Sequence, residues 1–168
     1  MTHRILRTAV FCLALAPAFA TAAPTVIDFE NLTDGHFVDE EYAGSGVHFL
    51  NDYRVETGFF SARPTVRTAP SGWGAGNVLV NEYYNTEFWN SGYVPMVVHF
   101  DQPVRQVDLK VGRLSMLADS AHISLFDAGG ALRAETTVTL VTNSMTPASL
   151  VDATESARLL VIDYGDSG

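Results

Sequence analysis

The sequence predicts an all-β protein, a single antiparallel β-sandwich of two sheets, on three observations. Helical periodicity is nearly absent beyond residue 23. Short runs rich in β-branched and aromatic residues alternate with clusters of Gly, Pro, Asn, Asp and Ser, the pattern of strands joined by turns. Several of these runs alternate apolar and polar residues with period two, as a half-buried strand requires. The strands expected on this basis are 25–30, 46–50, 53–57, 77–82, 95–101, 104–112, 121–127, 132–141 and 158–164, with a weaker one at 146–151.

Residues 1–23 stand apart from that domain. Arg4 and Arg7 form a positive N-terminal region, and Ala9 to Ala16 form a short apolar one. Pro17 breaks the run, and the small residues Ala18, Ala20, Ala22 and Ala23 follow. This is the pattern of a secretory signal peptide, and its apolar run is too short to span a bilayer. The mature domain is therefore expected over 24–168, secreted to an extracellular or periplasmic location, with no membrane insertion. Cys12 is the only cysteine and lies inside the leader. Without disulfides, a secreted domain depends on its core or on a metal for stability. Losing Arg4 and Arg7 takes the basic count from 10 to 8 against 19 acids, a net charge of −11. That charge argues against nucleic acid and anionic membrane as partners.

Taken in order, Val26 to Glu30 reads as a strand leading to a polar turn, Thr33-Asp34-Gly35. An acidic run, Asp39-Glu40-Glu41, precedes Tyr42 and the glycine turn Gly44-Ser45-Gly46, and Val47 to Leu50 forms the next strand. The stretch from Gly58 to Gly76 holds two prolines and four glycines and reads as a long irregular loop; such loops often carry function. Pro103 cannot donate to a ladder, which places a strand junction at Asp101-Gln102-Pro103. Val107, Leu109 and Val111 alternate with Gln106, Asp108 and Lys110, and Thr136 to Leu140 does the same. Asp127-Ala128-Gly129-Gly130 supplies the positive φ of a hairpin turn. Arg158 to Tyr164 is apolar on both faces near its start and reads as an inner strand with a neighbour on each side. Gly165 to Gly168 has a turn composition, which predicts a further strand beyond it and a sheet missing its last strand here.

The opening Ile27-Asp28-Phe29-Glu30 through Gly46-Val47-His48-Phe49 resembles the opening of many secreted bacterial proteins of the PEP-CTERM (exosortase-sorted) type. Asn77-Val78-Leu79, Val97 to Val104 and Ile123 to Gly130 resemble later pieces of that pattern, in the same order. The resemblance implies a galactose-binding-like jelly-roll sandwich, association with the cell surface, and a structural calcium near the N-terminal strand. The chain departs from the pattern after Tyr164, where the group continues into a final strand and a sorting tail.

Two constellations are candidates for binding. Calcium takes several oxygen ligands, and Glu30, Asn31, Asp34, Asp39 and Glu41 supply them beside two turns. Their spacing matches no EF-hand, and the plain alternative is a set of solvated loop charges. Glycan sites combine aromatic faces with amides and carboxylates; Trp73, Tyr83, Tyr84, Asn85, Trp89, Asn90 and Tyr93 are of those types. The plain alternative is that part of this set belongs to the core. His36, His48, His99 and His122 have no zinc-like spacing, and outward-facing strand positions account for the last three. No nucleophile elbow is present. Glu82 and Glu87 could serve a glycosidase only if the fold set them across a sugar, so no catalytic residue is assigned. The expected function is a non-catalytic binding module for carbohydrate or extracellular matrix polymer, with calcium as a structural cofactor. The alternatives are a structural surface or biofilm protein and, behind it, a polysaccharide hydrolase or lyase.

Overall fold

The computed structural model describes residues 23–50, 62–83, 95–113 and 119–164. The expected strand at 53–57 and the expected signal peptide before Ala23 lie outside them. The described residues form nine strands: β1 (Val47–Phe49), β2 (Ala62–Thr68), β3 (Asn77–Tyr83), β4 (Met96–Val104), β5 (Gln106–Gly112), β6 (Ser120–Asp127), β7 (Leu132–Thr139), β8 (Met145–Val151) and β9 (Ala157–Asp163). Five make one antiparallel sheet in the order β1-β4-β9-β6-β7, and β2–β3 and β5–β8 make two antiparallel pairs. Buried residues of all three sheets meet in one core, from Val66 of β2 and Val111 of β5 to Ile123 of β6 and Leu160 of β9. The sheets pack face to face, and the protein is an all-β sandwich. No helix among the described residues is long and apolar enough to cross a membrane.

Apolar burial with period two explains which strand faces are inside. Val107, Leu109 and Val111 turn toward the core from β5, while Gln106, Asp108 and Lys110 stay exposed. On β9, Leu160 and Ile162 are buried and Leu159 and Val161 half-buried. That strand is the centre of the large sheet, paired with β4 on one side and β6 on the other, as its two apolar faces predict. Among the described residues, the sheet's edges are β1 and β7, not β9. The β6–β7 hairpin closes on Gly130 at φ +80°, and the Asp127 carboxylate accepts bonds from the amides of Gly129 (2.8 Å) and Ala131 (2.9 Å).

Three expectations change. Residues 25–30 are not a strand. Phe29 sits at φ +60°, which ends extended backbone, and the carbonyls of Phe29 and Leu32 accept from the Asn77 side-chain amide at 3.0 and 2.9 Å. One side chain thus replaces a ladder. Conversely, part of the expected loop 58–76 is β2, despite Pro64. The Pro64 carbonyl accepts from Val38 N (2.8 Å), and Val66 exchanges bonds with His36 O and Gly35 N, so residues 35–38 run beside β2. Pro103 lies within β4 rather than between strands. It falls in a bulge, between the pairs His99–Leu159 and Val104–Ala157, where no ladder bond to β9 is required of it.

Candidate functional site

The β2–β3 hairpin carries the first candidate. Its loop closes by Ala69 N to Gly76 O (2.9 Å), and Trp73 N donates to Pro70 O (3.0 Å). Gly72, Gly74 and Gly76 hold φ of +96°, +105° and +102°, a backbone that side-chain-bearing residues rarely adopt. The loop approaches the turn before β8 so closely that a methyl group on Gly72 would lie 2.5 Å from the Asn143 carbonyl oxygen. Trp73 is half-buried. One edge of its indole packs over Gly112 of β5, where an added methyl would lie 3.0 Å from Trp73 Cζ2 and 2.6 Å from the Met145 sulfur. The indole Nε1 is buried and has no hydrogen-bond acceptor among the described residues.

Tyr83 closes β3 at the opposite end from this loop. A seven-residue strand separates the loop from the backbone of Tyr83 by roughly 20 Å. Tyr84, Asn85, Trp89, Asn90 and Tyr93 lie outside the described residues.

The expected calcium ligands for which contacts are seen each hold partners within the protein. Glu30 and Asp34 meet the loop end of the same hairpin, where Thr68 and Asn77 face each other. Glu30 Oε1 accepts from Asn77 N (2.8 Å), and Asp34 Oδ1 accepts from Thr68 N (3.0 Å). Asp34 Oδ2 lies 3.9 Å from Arg67 Nη1. Asn31 Oδ1 accepts from the Tyr42 hydroxyl (3.0 Å). Farther along, Glu41 bonds His36 Nε2 at 2.5 Å and accepts from Asp39 N at 2.6 Å. Burial acts to raise the Glu41 carboxyl, but the amide bond from Asp39 and the His36 bond outweigh it, and its pKa falls below the ordinary value. No group of three or more His, Cys, Asp or Glu side chains among the described residues is placed to hold a metal ion.

The structure assembles a third constellation that local sequence gives no sign of. His48 Nδ1 lies 2.7 Å from Glu40 Oε2, and its Nε2 lies 3.1 Å from Asp101 Oδ1. Glu40 comes from the acidic run and Asp101 from β4. His48 and His99 are register partners on β1 and β4, with ring centroids 6.0 Å apart. His48 and His99 are half-buried and His122 is exposed.

No protein-family model, curated protein or solved structure matches this chain.

Proposed function

We infer that this protein is a secreted, non-catalytic β-sandwich that binds a carbohydrate or matrix polymer at or near the cell surface. The observation that carries the reading is Trp73, a half-exposed indole fixed on a loop with three glycines at positive φ and packed against β5. A ring held in place loses little freedom when a sugar face stacks on it. The strand length between Trp73 and Tyr83 favours an extended polymer over a single sugar. The resemblance to PEP-CTERM-type jelly-roll domains supports the same reading.

The test is binding to a glycan array and to immobilised polysaccharides. Wild type is expected to bind, and Trp73→Ala to lose about 1–3 kcal/mol, the effect of truncating a stacking ring. Trp89→Ala, in the second aromatic segment, is the parallel arm. Equal binding by all three proteins removes both rings from the site. Absence of binding by wild type favours the second reading, a structural surface protein. One observation favours that reading already: the Nε1 edge of Trp73 is turned into the protein.

Calcium is the further element of the proposal. Its support is the oxygen-rich set of Glu30, Asn31, Asp34, Asp39 and Glu41, although Glu30, Asn31, Asp34 and Glu41 already accept protein hydrogen bonds. A metal that binds only the native state raises stability by mass action. Chelator is expected to lower the melting temperature of the mature domain, and added calcium to restore it. Superimposable melts with and without chelator would rule calcium out.

A further inference from the structure

We propose that Glu40, His48 and Asp101 form an acid-strengthened clamp that locks residues 39–46 over edge strand β1 and loosens as pH rises. A carboxylate oxygen can only accept, so each ring nitrogen of His48 must donate to make its bond. A neutral imidazole has one N–H and makes one of the two bonds; the imidazolium makes both, each charge-assisted. Protonated, the triplet carries one net negative charge. Deprotonated, it carries two, with an imidazole lone pair turned toward a carboxylate.

The segment is tied to its other neighbours by the Tyr42 hydroxyl on Asn31 and by Glu41 on His36, but its backbone bonds to β1 are weak. Val47 N donates to Tyr42 O at 3.2 Å and Phe49 N to Asp39 O at 3.3 Å, both long. Asp101 N donates to Gly46 O (3.0 Å), and Gly46 lies at φ +71° against the Asp101 side chain. Beneath the segment, Phe29, Tyr42 and Phe49 pack edge to face, with centroids 5.6 to 6.2 Å apart. Loosening residues 39–46 uncovers Phe49 and the outer amides of β1 together.

Other ionisable groups among the described residues lie on the elements packed against β1. His99 stands beside His48 on β4. Arg158 of β9 donates to the Asp101 carbonyl, which helps to fix β4 at that point. Asp39, Glu41 and Tyr42 share the segment with Glu40, and Glu41 is bound to His36. The Asp101 bond and then the Glu40 bond raise the His48 pKa above its ordinary value, against a smaller effect of burial. A raised pKa means that the clamp contributes fully below about pH 6.5, the ordinary histidine value, and is lost as pH climbs through the folded-state value.

Amide hydrogen exchange of the mature protein between pH 6 and pH 9, corrected for intrinsic rates, reads the clamp at Val47 and Phe49. Protection in wild type is expected to fall on the order of tenfold across that range. In His48→Gln it should be low and flat, and in His122→Gln it should follow wild type. Flat wild-type protection, or an equal fall in His48→Gln, overturns the proposal. Should His48→Gln not fold, the wild-type His48 ring is titrated by NMR beside Glu40→Gln. A midpoint above the ordinary value that moves down in Glu40→Gln sustains the clamp, and an ordinary midpoint in wild type overturns it.

Discussion

Replacing Ile123 with alanine is expected to cost the domain about 2–5 kcal/mol, a large share of the roughly 5–15 kcal/mol that holds a domain of this size together. Ile123 is 0% exposed and lies midway along β6. It faces Ile162 across one ladder and Thr136 across the other. Strands on both sides fix the backbone, so the cavity cannot close by a local shift. The transfer term and the cavity term therefore both apply. The measurement is the urea midpoint with an unchanged m-value. His122→Ala, one residue earlier and exposed, is the control and should stay within about 0.5 kcal/mol of wild type. An Ile123→Ala midpoint as close to wild type as the control's would show that the core does not close around β6.

Asp152→Ala is expected to lower Tm by about 10 °C or more at pH 7. Asp152 is 2% exposed, in the turn that joins β8 to the central strand β9. One carboxylate oxygen accepts from the amide (2.9 Å) and hydroxyl (2.6 Å) of Thr154. The other accepts from Ser156 N (2.7 Å), Ser156 Oγ (3.1 Å) and Ala157 N (2.9 Å). Alanine leaves those backbone donors without an acceptor in a closed turn. These bonds, led by the Thr154 hydroxyl and opposed by burial, hold the carboxyl well below the usual carboxylate range. A pKa lowered on folding contributes stability that is complete above the unfolded value, near pH 4, and is lost as pH falls through the folded value. The Tm gap between wild type and Asp152→Ala should thus be full at neutral pH and shrink only as the medium is acidified below about pH 4. A variant that melts with wild type at pH 7 would show that the turn's donors find other partners.

Much of the sandwich was legible in residue order. The two apolar faces of Leu159 to Ile162 located the middle of the large sheet. The alternation from Gln106 to Val111 gave the inside and outside of β5, and Asp127 to Gly130 gave the β6–β7 hairpin. Each of these is a local signal, because side-chain period and turn chemistry act over a few residues. The hairpin strand at 62–68 was not legible. Its sequence, Ala62-Arg63-Pro64-Thr65-Val66-Arg67-Thr68, alternates apolar and polar residues, but Val66 is the only strong strand former among the apolar ones and Pro64 reads as a breaker. It is a strand because β3 and residues 35–38 take up its backbone groups on two sides.

The candidate sites divide along the same line. Residue type alone nominated Trp73 and the 30–41 oxygens, but whether two nominees meet is a matter of register. The length of β3 lies between the Trp73 loop and Tyr83, while Glu30 and Asp34 are taken up by backbone amides of the hairpin and Glu41 by His36. Asp101 reaches His48 from 53 residues away, through the pairing of β1 with β4. By itself the sequence determined the strand class, most inner faces and the hairpin turn at 127–130, because those follow from period-two burial and positive-φ glycines. Only the tertiary structure decided which outward-facing side chains share a surface. Strand register joins residues far apart in the chain, and no local pattern encodes it.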